Sequence, residues 1–157
     1  MLKNVVIIFL LGLFLSIPFF FNAQDNQSPK LNIYFFYSKD CPHCQQESLF
    51  LADLKQQLGN QIKIYSYEVT GNRANAKLFG EFINRFRTTT TGVPKIFIGS
   101  RYVSGYRSDS TTGQTIKNLI NSCLNNQCQD VGHAILYPDE EEDDCPHGLN
   151  LKKEEKC

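Results

Sequence analysis

The fold follows from one stretch of the sequence, Leu31-Asn-Ile-Tyr-Phe-Phe-Tyr-Ser-Lys-Asp-Cys-Pro-His-Cys44. Its first seven residues are mostly aromatic and apolar and include no Gly or Pro, which predicts a buried β-strand at 31–37. Leu51, Leu54 and Leu58 follow at helical spacing, and Gly59 ends this pattern. The two cysteines of the C-x-x-C motif therefore lie where a strand gives way to a helix.

The N-terminus of a helix is a favourable place for a reactive thiol. Its unpaired N–H groups carry partial positive charge, which stabilises a thiolate and lowers the pKa of the thiol. Pro42 falls in the first turn, where a missing N–H costs nothing, and His43 can add a hydrogen bond or a positive charge. We predict that Cys41 is the exposed attacking thiolate and Cys44 the more buried resolving thiol. A structural disulfide and half of a zinc site are the alternatives.

The rest of the body alternates between strand and helix patterns. The sequence predicts a strand at 62–69, a helix at 74–86, a hairpin of short strands at 95–98 and 102–105 around Gly99-Ser100, and a last helix opened by a capping box from Thr111 to Gln114. The order is β-α-β-α-β-β-α, with the first two strands parallel and the last two antiparallel. It predicts an α/β fold with a mixed four-stranded sheet flanked by helices.

Two motifs together resemble the thioredoxin superfamily. The first is Phe36-Tyr-Ser-Lys-Asp-Cys-Pro-His-Cys44, which is similar to its active-site motif, and the second is Thr91-Gly-Val-Pro-Lys-Ile-Phe-Ile-Gly99, which is similar to its cis-proline loop. The resemblance covers residues 31–124 and implies a thioredoxin-like fold. It also implies that Pro94 is preceded by a cis peptide bond and that the backbone at Val93 engages an extended substrate chain.

The branch of this superfamily is not fixed by the motifs. The Pro-His dipeptide and Val93 are similar to DsbA-type oxidases, which carry a helical insertion. Only 49 residues separate Cys44 from Pro94, and they hold one predicted strand and one predicted helix. This compact layout looks more like glutaredoxins or minimal thioredoxins.

Two features that the resemblance leads us to look for are a buried acid and a glutathione site. Thioredoxins keep an acid in the strand before the active site, but residues 31–37 contain none, so Glu47 and Glu68 are the candidate proton carriers. Glutathione is a candidate co-substrate, which would be held by the Val93 backbone and by polar groups around Gly105 and Ser108. The redox centre is the dithiol itself, so no bound cofactor is expected.

The N-terminus reads as a targeting segment. Lys3 precedes a run of 17 mostly apolar residues at 5–21, and Ala23 is the predicted cleavage position. We predict a secretory signal at 1–23, with an uncleaved signal anchor as the alternative. Either one places the remaining chain in an extracytoplasmic compartment, secreted, periplasmic or in the endoplasmic reticulum lumen, where disulfides persist.

Charge separates the body from the C-terminus. Residues 24–136, the predicted domain, carry 12 basic and 8 acidic residues, whereas residues 137–157 carry 3 basic and 8 acidic ones. The second segment, which contains Cys145 and Cys157, is predicted to be a solvated acidic tail, with a docking tail or a lid on the basic body as alternatives. The whole chain has formal net charge +0, which excludes a globally basic nucleic-acid binder.

Four cysteines lie outside the C-x-x-C motif. Four cysteines allow three disulfide pairings, and the sequence does not choose among them. We favour Cys123 with Cys128 and Cys145 with Cys157, because each pair is close in sequence. The alternative is a metal site with ligands drawn from Cys123, Cys128, His133, Cys145, His147 and Cys157, although these spacings match no common zinc motif. We therefore predict no metal, and we interpret His133 as a solvated connector residue.

The main hypothesis is an extracytoplasmic thiol–disulfide oxidoreductase that favours oxidation. Its partners would be protein thiols or disulfides and a redox recycling protein, which can be membrane-bound. A glutaredoxin-like or thioredoxin-like reductase or isomerase is the alternative within this class. The alternative of another class is a non-catalytic thioredoxin-like module that binds a partner or zinc through its tail. The sequence carries no signal for the oligomeric state.

Overall fold

The computed structural model describes residues 28–138, so the predicted signal and all but the first two residues of the predicted tail lie outside the described residues. Four strands and four α-helices follow one another along this part of the chain. They are β1 (Leu31–Tyr37), α1 (Pro42–Leu58), β2 (Ile62–Glu68), α2 (Arg73–Arg85), β3 (Lys95–Ile98), β4 (Arg101–Ser104), α3 (Gln114–Asn126) and α4 (Val131–Leu136). None of the helices within 28–138 has the length and apolar character of a membrane span.

The strands form one mixed sheet in the order β2-β1-β3-β4. β1 pairs with β2 in parallel and with β3 in antiparallel orientation, and β3 and β4 form an antiparallel hairpin. The crossover through α1 makes the first pair parallel, and the two-residue turn at Gly99-Ser100 makes the last pair antiparallel. The predicted fold class, strand order along the chain and strand directions are therefore confirmed.

Helices cover both faces of the sheet because successive residues of β1 point to opposite sides. Ile33 and Phe35 face one core, which contains Leu51 and Leu54 of α1 and Ile116 and Ile120 of α3. Tyr34 and Phe36 face a second, aromatic core with Phe79, Phe82 and Phe97, against which α4 packs. The central strand is thus buried on both sides, and the apolar helix stripes are core residues, as predicted.

The start of the last long helix was predicted wrongly. Thr111 does not cap a helix: a π-helical turn at Asp109–Gly113 precedes α3, and Gly113 is the N-cap residue. The hydroxyl of Thr111 contacts Ser108 Oγ at 2.9 Å, and the Gln114 side chain donates to Asn118 Oδ1. Because the helical turn already begins at Asp109, Thr111 lies inside it and not at its entrance.

The sequence does not predict α4, which the Asp130 side chain ties to β1. The Asp130 carboxylate accepts hydrogen bonds from the His133 N–H at 2.9 Å, from the Tyr34 hydroxyl at 3.0 Å and from Asn32 Nδ2 at 2.7 Å. The first bond caps the helix and the other two join it to the central strand. His133 therefore belongs to a helix, which corrects its interpretation as a connector residue.

Two helical glycines give a matched test of this packing. A Cβ at Gly132 of α4 would fall on the ring carbons of Tyr34, whereas a Cβ at Gly80 of α2 would meet nothing within 4 Å. We expect Gly132→Ala to lower the free energy of unfolding by about 1–3 kcal/mol, as overpacking does. Gly80→Ala should raise it by about 0.5–1 kcal/mol through helix propensity. Urea unfolding of both variants measures this, and an equal response of the two would contradict the close contact.

Candidate active site

Cys41 lies at the N-cap position of α1, as the sequence predicts. Its backbone is extended (φ −97°, ψ 111°), and its sulfur accepts a hydrogen bond from the Cys44 N–H at 3.2 Å. Pro42 occupies the first turn, and that turn contains no acidic residue. The sulfur thus receives a hydrogen bond from an N–H of the first helical turn, and no carboxylate of that turn opposes a negative charge on it.

The two cysteines of the motif form a disulfide and differ in exposure. Their Cα atoms are 5.2 Å apart. Cys44 is 0% exposed, while Cys41 is half-buried and Pro42 and His43 are exposed. Cys41 is therefore the more accessible of the two cysteines, which is the asymmetry that an attacking and a resolving cysteine need.

The loop before Cys41 is held by Ser38. The Ser38 carbonyl accepts a hydrogen bond from the Cys41 N–H at 3.3 Å, and its hydroxyl accepts one from Thr70 Oγ1 at 2.7 Å. Gln45 of α1 donates to the Lys39 carbonyl at 3.0 Å. These bonds connect the end of β1, the turn after β2 and the first turn of α1, so the position of Cys41 depends on all three.

The segment at Val93-Pro94 lies directly beside Cys41. The peptide bond between these residues is cis, Pro94 is buried, and the Val93 carbonyl oxygen is 4.0 Å from Cys41 Sγ. The Pro94 carbonyl accepts a hydrogen bond from the Gly105 N–H at 2.8 Å, which fixes the segment to the end of β4. The structure thus brings together the two motifs that the sequence analysis singled out.

A groove of about 450 Å³ runs along this segment. It is lined by residues of the active-site helix, the Val93 segment and the end of the hairpin: His43, Val93, Pro94, Ser104, Gly105, Tyr106, Arg107 and Thr112. A second groove of about 540 Å³ lies beside it and shares Tyr106 and Arg107. Gly105 therefore lines the first groove and Ser108 the second. The sequence predicts a single glutathione site around these two residues.

Glu47 is a buried acid one turn after Cys44 on α1. It is 1% exposed, and neither of its carboxyl oxygens receives a hydrogen bond. Burial raises its pKa to about 8 because a carboxylate in a dry environment loses its hydration. Burial, the hydrogen bond to Asp109 and repulsion from Asp109 and Glu47 raise the pKa of the nearby Tyr106 hydroxyl.

Glu68, the other candidate proton carrier, has a different surrounding. Its carboxylate accepts hydrogen bonds from the backbone N–H groups of Thr70 at 2.9 Å and Gly71 at 2.8 Å. The bond from Gly71 is the main cause of a lowered pKa. A carboxylate held ionised in a turn does not store a proton near neutral pH, so of the two candidates only Glu47 has a suitable pKa.

The remaining described cysteines form the predicted disulfide between Cys123 and Cys128, whose Cα atoms are 4.7 Å apart. Their sulfurs are therefore not available as metal ligands in this form of the protein. No group of three or more potential metal ligands occurs within residues 28–138. The predicted pair of Cys145 and Cys157, and His147 with it, lie outside the described residues.

On the hairpin side of the groove, the sequence predicts only polar groups around Gly105 and Ser108. The structure adds Ser104, Tyr106, Arg107 and Thr112 to the lining of this groove. Lys95 belongs to the cis-proline motif, but its full burial beside this wall is not predicted. The sequence places these residues in or just after the two strands that follow Pro94. This indicates that they lie near Pro94, but not which way their side chains point.

No protein-family model and no curated protein matches this sequence. Among solved structures, a protein of Agrobacterium tumefaciens matches with a TM-score of 0.51 at 13% identity, over 64% of this chain and 48% of the other. This chain thus matches about half the length of that protein. Glutaredoxins give lower TM-scores at 19% identity: 0.40 for one from Archaeoglobus fulgidus, over 56% of this chain and 84% of that one, and 0.41 for a buckwheat glutaredoxin–glutathione complex, over 61% and 78%. At 13% identity, the likeness to the Agrobacterium protein concerns the fold alone.

Proposed function

We propose that this chain, which has a thioredoxin-like α/β fold, is a thiol–disulfide oxidoreductase that acts through Cys41 and Cys44. A single observation carries the proposal: a half-buried cysteine whose sulfur caps a helix forms a disulfide with a fully buried cysteine, next to a groove. A purely structural disulfide has no need of this asymmetry. Cys41 is the residue that exchanges with a partner, and Cys44 is the one that resolves the mixed disulfide.

In the oxidising direction, a partner thiolate attacks Cys41 Sγ. The Cys41–Cys44 bond breaks, a mixed disulfide forms, and Cys44 leaves as a thiolate. A second thiolate of the partner then attacks the partner sulfur that is bonded to Cys41. Cys41 leaves as a thiolate, and the partner is oxidised by two electrons. A recycling partner has to remove these electrons from the dithiol. The reducing direction runs through the same species in reverse order.

Glu47 is proposed as the group that exchanges the proton of Cys44. Cys44 is fully buried, so its thiolate needs a nearby proton source when it leaves, and the Glu47 carboxyl is buried on the same helix three residues away. A pKa near 8 keeps this carboxyl protonated at neutral pH but able to release the proton. In the other direction, the ionised carboxyl accepts the proton of the Cys44 thiol as Cys44 attacks.

The direction and the location are part of the proposal. The helix N-terminus stabilises the Cys41 thiolate, and so stabilises the reduced form relative to the disulfide, which makes the disulfide the stronger oxidant. The predicted signal at 1–23 and the even number of six cysteines favour an oxidising, extracytoplasmic compartment. We therefore propose an oxidase of protein thiols outside the cytoplasm, with glutathione as a further candidate thiol.

The reduction potential of the Cys41/Cys44 couple tests the direction. It is measured on the chain from residue 24 onward, equilibrated in glutathione buffers and analysed by thiol alkylation and mass spectrometry. We expect a value near that of a disulfide donor, about −120 mV, because the Pro42-His43 dipeptide and Val93 are similar to those of DsbA-type oxidases. A value near −270 mV, as in reductases, would contradict the proposed direction but not the exchange chemistry.

A further inference from the structure

Lys95, the residue after Pro94, is 0% exposed and nevertheless finds partners for its amine. Its Nζ donates to the Thr90 carbonyl at 2.6 Å and to Thr90 Oγ1 at 2.8 Å, and it lies 5.3 Å from the centre of the Tyr102 ring. No carboxylate of residues 28–138 forms an ion pair with it. A buried amine without an anion is costly, so its contacts with the loop before Val93 call for an explanation.

The amine determines the direction of a chain of hydrogen bonds. An ammonium group only donates, so Thr90 Oγ1 must be the acceptor from Lys95. Thr90 Oγ1 also lies 3.1 Å from Ser104 Oγ, a contact in which either oxygen can be the donor. Accepting a bond from a cation makes a hydroxyl a better donor, which favours Thr90 as the donor to Ser104. The proton of the Ser104 hydroxyl is then left for another acceptor.

Ser104 presents this hydroxyl at the groove beside the cysteine pair. It is exposed, and it lines the groove together with Val93 and Pro94. The pairing of Lys95 with Ser104 across the hairpin places both side chains on the same face of the sheet. In this groove, the Val93 carbonyl can therefore accept a hydrogen bond from an N–H group of a ligand, and the Ser104 hydroxyl can donate one.

We propose that the Ser104 hydroxyl binds a main-chain carbonyl oxygen of the peptide whose cysteine reacts with Cys41. Lys95 and Thr90 are positioning residues that set the direction of the hydroxyl proton. A neutral carbonyl suits a single neutral donor, and an extended peptide offers such a carbonyl next to the N–H that the Val93 carbonyl can accept. This inference rests on the proposed function, because it assigns a substrate contact to the same site.

The test compares two disulfides under steady-state turnover with dithiothreitol as the reductant. One is a blocked six-residue peptide whose single cysteine is joined to 2-mercaptoethanol. The other is bis(2-hydroxyethyl) disulfide, which has no carbonyl group. We expect Ser104→Ala to raise KM for the peptide about fivefold, as loss of a hydrogen bond of about 1 kcal/mol does, with kcat unchanged. KM for bis(2-hydroxyethyl) disulfide should not change.

Two further variants test the positioning residues. Thr90→Val and Lys95→Met should each raise KM for the peptide, and neither should add to the effect of Ser104→Ala in a double variant, because all three act through one hydrogen bond. Thr90 is exposed, so its variant keeps the test valid if Lys95→Met fails to fold. Lys63→Met is the matched control, because Lys63 is an exposed strand lysine 4.6 Å from the Tyr65 ring.

The outcomes separate this inference from the proposed function. An unchanged KM for the peptide in Ser104→Ala, or an equal rise for both disulfides, would overturn the assignment of Ser104. Additive effects of Lys95→Met and Ser104→Ala would overturn the positioning role. No turnover of either disulfide by the unmodified chain would contradict the proposed function. In that case, the affinity of the reduced, fluorescein-labelled peptide is measured for Cys41→Ser and for Cys41→Ser/Ser104→Ala. Equal affinities would overturn the proposed contact with Ser104.

Discussion

Replacing Cys41 with Ser is expected to reduce disulfide exchange by at least about a thousandfold, because a serine hydroxyl neither ionises near neutral pH nor forms a disulfide. Cys41 is the more accessible cysteine of the pair. Reduction of insulin and oxidation of reduced ribonuclease measure the two directions of exchange. Cys44→Ser should instead accumulate the mixed disulfide between Cys41 and a substrate, which is visible as a mass adduct, since the resolving thiol is absent.

The double variant Cys123→Ser/Cys128→Ser is the matched control for this experiment. It also removes a disulfide, but one that joins the end of α3 to the segment before α4. We expect it to keep exchange activity, with far-UV circular dichroism to establish that it is folded. If Cys41→Ser keeps its exchange activity and the double variant loses it, the reacting pair is Cys123 and Cys128 and not Cys41 and Cys44. A complete lack of exchange in the unmodified chain would favour the non-catalytic binding module.

The second large effect concerns the pH dependence of stability, which Glu47 should dominate between about pH 5 and 8. Its pKa is about 8 in the folded protein and near 4.5 when the chain unfolds. A carboxyl group whose pKa is raised by folding stabilises the folded protein fully when the pH is below its pKa in the unfolded chain. This stabilisation is lost as the pH rises through its pKa in the folded protein. The loss should reach several kcal/mol, since a tenfold change in the proton-binding constant of a group corresponds to about 1.4 kcal/mol.

Glu47→Gln keeps the shape of the side chain and removes its titration. We expect the variant to lack the decline in the free energy of unfolding that the unmodified chain shows between pH 5 and 8. Urea unfolding of the oxidised protein measures this, because its paired cysteines do not titrate. Glu81→Gln is the control, since Glu81 is exposed and, within residues 28–138, pairs only with Lys77, at 3.9 Å. A decline that persists in Glu47→Gln, or disappears in Glu81→Gln, would contradict the assignment.

Much of the fold was predictable because its signals are local in the sequence. β1 is a short apolar run without Gly or Pro, and β2 has a two-residue periodicity that only a strand satisfies. The hairpin follows from its turn, in which Gly99 has φ +58°. The observed strand and helix bounds lie within one residue of the predicted ones for β2, α2 and β4.

The errors occurred where a distant contact decided the local structure. Residues 131–136 form a helix because Asp130 caps it and bonds to Tyr34 and Asn32, almost 100 residues earlier in the chain. The pattern at Thr111 and Gln114 fits a capping box, but the π-helical turn that starts at Asp109 takes its place. Local propensity is a weak preference that such contacts can override.

The sequence by itself determined the pair of cysteines and the element that holds them. Two residues between Cys41 and Cys44 on a first helical turn bring the sulfurs together, whatever the rest of the chain does. Only the tertiary structure decided what surrounds them. It placed Val93, 52 positions away, against Cys41, buried Glu47 while Glu68 was bound in a turn, and joined Lys95 to Ser104 through Thr90. Burial and hydrogen-bond direction result from packing between elements, which no spacing along the chain encodes.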